Sequence, residues 1–172
     1  MRFIKLISIC LLLFQSCSNE ITPKLGEYRA EIKTKDNSIL PFKFELINES
    51  NKLIMVVEND KETLIYDDII FEADSLKILM PPYDAVIIAK VENESLYGRY
   101  LKEESGKEAP FFATINNESK FQSDKKANFS LSGKYKTVFR PEKPYPGLGV
   151  FTQNGNEVSG TFRKNTGDTR FL

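Results

Sequence analysis

Apolar and polar residues alternate with period two over most of this chain. Tyr28-Arg29-Ala30-Glu31-Ile32-Lys33 does so, and Pro41-Phe42-Lys43-Phe44-Glu45-Leu46 puts Phe42, Phe44 and Leu46 on one face, as half-buried strands require. Residues 53–57 (LIMVV) form a continuous apolar run suited to a strand covered on both sides. Apolar stretches at 64–66, 69–71, 76–80, 85–91, 96–101 and 111–115 continue the series. Between them lie clusters of Asn, Asp, Ser, Gly and Pro at 35–38, 48–51, 58–61, 74–75, 81–82, 93–95, 105–106 and 116–119. These residues favour turns through local hydrogen bonds or left-handed backbone. Their spacing, roughly 8–12 residues, is that of an all-β sandwich or barrel. Connections this short allow only antiparallel neighbours, so the pattern predicts a meander. No window carries a helical period.

Residues 120–129 (KFQSDKKANF) are polar and aperiodic, and the pattern restarts after them. Leu25-Gly26-Glu27-Tyr28-Arg29-Ala30 is echoed by Ser132-Gly133-Lys134-Tyr135-Lys136-Thr137, and Gly98-Arg99-Tyr100 by Gly160-Thr161-Phe162. A glycine inside a strand marks a bend, a bulge or a close backbone approach. An aromatic two positions on faces the same side and can cover the space beside it. Residues 150–153 and 157–163 flank Asn154-Gly155, a strong hairpin signal. Residues 140–149, with three prolines and two glycines, read as a loop. A turn at Thr166-Gly167-Asp168 leads to a further strand beginning at Thr169. The expected fold is all-β: an antiparallel meander barrel or sandwich over residues 25–119, a linker at 120–129, and a partial second β unit at 130–172. Few strands with one face make a poor core, so the expectation is a chain cut short within its second unit.

Residues 1–16 read as a targeting segment, to be set apart from the fold. Arg2 and Lys5 supply the charged start, and LISICLLLF is too short an apolar run to span a bilayer. Phe14-Gln15-Ser16-Cys17 then places a small residue before a cysteine, similar to the lipobox of bacterial lipoproteins, although Phe14 stands where an aliphatic residue is usual. That resemblance implies cleavage before Cys17 and acylation of its thiol, with residues 17–24 as tether. The expected location is the bacterial cell envelope, anchored to membrane lipid (palmitate-type chains) through Cys17, with the outer membrane favoured over the inner. Multiple acyl chains, at about 0.8 kcal/mol per buried methylene, make such anchoring stable.

The full chain has 24 basic and 24 acidic residues. Removing residues 1–16 takes two basic groups and no acidic ones. A nucleic-acid partner is not expected, because backbone phosphates call for a basic excess. The two cysteines are Cys10 and Cys17, so the processed chain would hold one thiol and no internal disulfide. There is no histidine, which removes Ser-His-Asp, Cys-His and histidine-metal chemistry. No P-loop or dinucleotide fingerprint is present. Asp67-Asp68 and Glu103-Glu104 are adjacent pairs; neighbours on a strand point to opposite faces, so they read as solvated charges. Asp36, Asp60 and Asp74 sit in turn clusters without the ligand spacing of a calcium loop. Tyr83 and Tyr145, each beside proline, are the expected exposed aromatic contacts. No catalytic, metal or cofactor site is expected.

Residues 133–139 (GKYKTVF), 149–163 (GVFTQNGNEVSGTFR) and 166–172 (TGDTRFL), with GEYRA at 26–30 and LPFKFEL at 40–46, together resemble one family. It comprises envelope lipoproteins of Gram-negative bacteria with a β-rich N-terminal region and a C-terminal thioredoxin-like domain of peroxiredoxin or thiol-disulfide reductase type. In that family the reactive cysteines belong to the later domain, so no catalytic residue carries over. The resemblance implies a non-catalytic accessory region that holds or docks a thioredoxin-like domain or envelope redox partner. A stand-alone lipocalin-like barrel, with Phe and Tyr lining a ligand cavity, is the alternative; strand addition at an open Arg170–Leu172 edge is a third reading.

Overall fold

The computed structural model describes residues 21–60, 62–116, 118–121, 123, 125–140, 142–164 and 169–171. The expected targeting segment at 1–16, Cys17, the expected turn at Thr166-Gly167-Asp168 and Leu172 lie outside the described residues. Within them the chain is all-β and antiparallel, in two sheets.

The first sheet comprises β1 (Gly26–Lys33), β2 (Ile39–Glu49), β3 (Lys52–Asn59), β4 (Glu62–Tyr66), β5 (Ile69–Glu72), β6 (Ser75–Met80), β7 (Ala85–Glu92), β8 (Ser95–Lys102) and β9 (Lys107–Ile115). Their spatial order is β4-β3-β2-β1-β9-β8-β7-β6-β5. Every sequential pair is therefore adjacent except β4 and β5, while β1 and β9 pair directly, from Tyr28↔Ile115 to Ile32↔Phe111. This is an up-and-down barrel whose seam lies in mid-chain, at Asp67-Asp68, rather than between its first and last strands. The sheet curls until β3 touches β5 and β4 touches β6 across the seam. Because β1 and β9 are paired, the chain enters and leaves the barrel side by side: the Asn116 N–H donates to the Glu27 carbonyl at 3.2 Å.

The predicted turn clusters fall where the strands reverse. Ser50-Asn51 joins β2 to β3 with φ of 52° and 64°, the left-handed pair that a two-residue hairpin needs. Asp60, Ala73 and Asn93 take positive φ in the other short turns. The 3₁₀ turn Pro81–Tyr83 links β6 to β7.

One face of the first sheet forms a single apolar cluster to which all nine strands contribute. Tyr28, Phe44, Leu46, Met55, Ile87 and Leu96 are essentially inaccessible; burying each of the aliphatic ones stabilises the fold by about 1.5–3 kcal/mol. Small and large side chains alternate along the interior face of β7 (Ala85, Ile87, Ala89, Val91) and β9 (Ala109, Phe111, Ala113, Ile115), a pattern that lets side chains fill a small barrel. Gly98 pairs with Phe111 on one side and Ala89 on the other. A Cβ on Gly98 would lie 1.9 Å from the Ile88 carbonyl oxygen, so the glycine marks a close backbone approach.

The second sheet is β10 (Gly133–Phe139), β11 (Tyr145–Asn154), β12 (Glu157–Lys164) and β13 (Thr169–Phe171), in that order. Two sequence expectations change here. The loop expected over 140–149 ends at residue 144, and β11 takes in Pro146, Gly147 and Gly149. The glycines are strand residues because aromatic rings occupy the space of their missing side chains: a Cβ on Gly147 would meet Phe139 at 2.4 Å, and one on Gly149 would meet Phe151 at 2.8 Å. The expected Asn154-Gly155 turn is centred one residue later. Asn154 pairs with Glu157, and Gly155 carries a positive φ of 61°, as a II′ turn asks of its first central residue.

The sequence echo is also an echo of register. Gly26↔Leu46 and Tyr28↔Phe44 in β1–β2 correspond to Gly133↔Phe151 and Tyr135↔Gly149 in β10–β11. In β2–β3, Glu49↔Lys52, Leu46↔Met55 and Glu45↔Val56 correspond to Asn154↔Glu157, Phe151↔Gly160 and Val150↔Thr161 in β11–β12. Gly26 and Gly133 open their units with φ of 135° and 150°. The second sheet thus repeats the first four strands of the barrel, pair by pair.

Candidate functional site

Three places combine exposure, apolar surface or unpaired polar atoms. The first is the face of the second sheet that matches the barrel interior. Tyr135, Phe139, Tyr145, Phe151 and Phe162 share this face by strand alternation. Their rings meet edge to face over the glycines: Phe151 and Phe162 at 5.5 Å and 84°, Phe139 and Phe162 at 5.4 Å and 80°. Such aromatic pairs contribute about 0.5–1.5 kcal/mol each beyond burial. The rings are half covered, and Leu131, Tyr135, Phe151 and Val158 line an open apolar groove.

The second is one end of the barrel, where Tyr66, Tyr83 and Tyr100 gather. Burial pushes the Tyr66 hydroxyl far above the usual tyrosine range, reinforced by neighbouring Tyr83, Glu62 and Tyr100. Tyr100 is raised as well, by burial first and then by Tyr83 and Asp84. The Tyr66 hydroxyl is buried without a hydrogen-bond partner. The 3₁₀ turn is tied down over β8: Lys102 Nζ donates to the Tyr83 carbonyl, and the Glu103 and Glu104 N–H groups donate to the Asp84 carbonyl and carboxylate, both at 3.1 Å. By contrast the Tyr28 hydroxyl is satisfied, donating to the Lys24 carbonyl at 2.7 Å; burial still pushes it up to about 12.

The third is a shallow groove outside the barrel, lined by Ile39, Tyr97, Pro110 and Phe112 beside Glu31 and Lys33.

The carboxylates do not converge. Asp67, Asp68, Glu103 and Glu104 are exposed. Asp36 accepts from Thr34 and Ser38 in the β1–β2 loop, and Asp74 from Ser75 and Lys90; these partners hold both below the usual carboxylate range. Among the described residues no group of three acidic, cysteine or histidine side chains could hold a metal. Cys17 lies outside them. The expected aromatic contacts are placed differently than anticipated. Tyr83 packs on the core cluster and Tyr145 stacks on Phe139 at 5.3 Å, because each is drawn to an apolar neighbour that local sequence does not reveal.

Sequence reasoning missed Gln153 and Asn156, which fasten the end of the linker. Gln153 accepts from the Leu131 N–H at 2.7 Å and donates to the Phe129 carbonyl at 3.2 Å. Asn156 accepts from the Ala127 N–H at 2.7 Å and donates to the Lys125 carbonyl at 2.8 Å. In the sequence both read as ordinary turn-flanking residues. The described residues contain no helix long and apolar enough to cross a membrane. Neither a protein-family model nor a curated protein matches the chain.

Proposed function

We propose that this chain is a non-catalytic β module of the bacterial envelope, tethered through acylated Cys17, that positions a thioredoxin-like thiol-disulfide oxidoreductase domain. The observation that carries the docking role is the half-covered aromatic face of the second sheet. It repeats, pair by pair, the register of strands whose matching face is buried in the barrel. A face built on that plan, with five rings over three glycines, suits a covering partner. The tether rests on the apolar run before Cys17, and the redox partner on the strand motifs quoted above. With one thiol in the processed chain, and that thiol acylated, the module has neither an attacking nor a resolving cysteine.

The filled interior favours this reading over a lipocalin-like one. Tyr28, Phe42, Phe44 and Phe111 pack against one another inside the barrel, where a ligand chamber would need room.

Metabolic labelling with a palmitate analogue tests the tether: label is expected on the wild-type chain and not on Cys17→Ala, and label persisting on the variant overturns it. Insulin reduction tests the chemistry, with no turnover expected; any turnover by the purified chain overturns the non-catalytic assignment. Binding of an envelope thioredoxin-like domain, followed by quenching of tyrosine fluorescence, tests the docking. Wild-type affinity weakened about ten-fold or more by Phe151→Ala is expected; absence of binding refutes that role.

A further inference from the structure

The barrel shows what its own repeat lacks. In the first sheet, β1 is flanked by β2 on one side and β9 on the other. Its copy, β10, is flanked by β11 alone among the described residues. The hydrogen-bonding phase of that open edge follows from the hairpins. Asn154 and Glu157 close a two-residue turn, so they form a hydrogen-bonded pair, and alternation then directs Gly133, Tyr135, Thr137 and Phe139 toward β11. The Gln153 N–H, which faces β10, donates to Ser132 Oγ at 2.8 Å, in keeping with that phase. The backbone groups of Lys134, Lys136 and Val138 therefore point outward. Their counterparts on β1 are Glu27, Arg29 and Glu31, and there the Glu27 carbonyl accepts from Asn116 as β9 comes alongside.

We propose that the outer edge of β10 accepts an extended segment of another polypeptide, antiparallel, in the register that β9 uses on β1. The incoming strand carries apolar side chains opposite Tyr135, Thr137 and Phe139, as Ile115, Ala113 and Phe111 lie opposite Tyr28, Ala30 and Ile32. It carries carboxylates opposite Lys134 and Lys136. Charge selects this occupant over a second copy of β10: every in-phase pairing of two β10 strands sets lysine against or diagonal to lysine, and like charges across strands are unfavourable. Main-chain bonds supply affinity and the alternate side chains supply selectivity, the logic of strand addition. The segment need not come from a redox domain, so the site stands apart from the function proposed above.

Two synthetic peptides test it against the full chain: residues 107–116 as they stand, and the same peptide with Thr114→Glu and Asn116→Glu, which places carboxylates opposite Lys136 and Lys134. The acidic peptide is expected to bind about ten-fold more tightly, with the difference lost in high salt. Hydrogen exchange should slow at Lys134, Lys136 and Val138. Val138→Pro removes an outward donor without touching the β10–β11 ladder, as an edge strand tolerates; it should abolish binding at unchanged melting temperature. Absence of binding by both peptides, or protection confined to other strands, overturns the proposal and leaves Lys134 and Lys136 as guards of the edge. Concentration-dependent dimerisation that Val138→Pro abolishes overturns it in favour of a second copy.

Discussion

Tyr28 lies flat on Phe44, ring centroids 5.0 Å apart and planes 3° from parallel. The equivalent pair in the second sheet is Tyr135 and Gly149, so one of the two rings is absent and Phe151 reaches across instead. The same register thus supports a closed core in one unit and a half-covered face in the other. Phe44→Ala is expected to destabilise the barrel by about 3–5 kcal/mol, because the ring is buried and its neighbours cannot collapse into the space. Denaturant unfolding monitored by circular dichroism measures it, and a loss below about 1 kcal/mol contradicts the packing described.

Two glycines of the barrel, one in strand β8 and one in the turn after it, separate steric from conformational cost. Gly98→Ala drives a methyl group into the Ile88 carbonyl and Ala89 Cα, backbone that cannot step aside, so the expected cost is at least about 4 kcal/mol. Gly106→Ala meets nothing within 4 Å and suffers only its positive φ of 63°, for about 1–2 kcal/mol. Equal effects in thermal unfolding would refute the close approach at Gly98.

Alkaline pH should weaken the barrel. Tyr28, Tyr66 and Tyr100 are all raised on folding. Their contribution is whole below the unfolded value of about 10 and is lost as pH rises through the folded values, which for Tyr28 is about 12. Unfolding free energy should therefore stay level through neutral pH and fall above about pH 10. Tyr66→Phe removes an unpaired buried hydroxyl and should raise stability by about 1 kcal/mol, whereas Tyr28→Phe orphans the Lys24 carbonyl and should lower it by a similar amount. The reverse ordering would show that the Tyr66 hydroxyl has a partner.

The linker should respond to residues far from it in sequence. Gln153→Ala or Asn156→Ala releases the bonds that hold residues 125–131. Trypsin cleavage after Lys125 or Lys126 is expected to speed up about five- to thirty-fold. Unchanged proteolysis would mean that the fastening contributes nothing.

The strands and turns of the barrel were legible because each rests on local chemistry. Tyr28, Ala30 and Ile32 alternate with Arg29 and Glu31, and Ser50-Asn51 brings its own left-handed tendency. The mid-chain seam was not legible, because whether β4 meets β5 or β1 meets β9 depends on the curl of the whole sheet. Gly147 and Gly149 escape the local pattern for a similar reason: beside Pro144 and Pro146 they look like a loop, and only the rings of Phe139, Phe151 and Phe162, brought in from other positions on the sheet, make them strand. Tyr66, Tyr83 and Tyr100 come from separate elements, so their association carried no signal in any window.

The pairing of β1 with β9 has a mechanical consequence. Polypeptide arrives at Gly26 and departs at Asn116 from the same rim. A pull on the segments before Gly26 and after Asn116 therefore loads β1 against β9 at a single end, opening their ladder one hydrogen bond at a time while the other seven strands carry no tension.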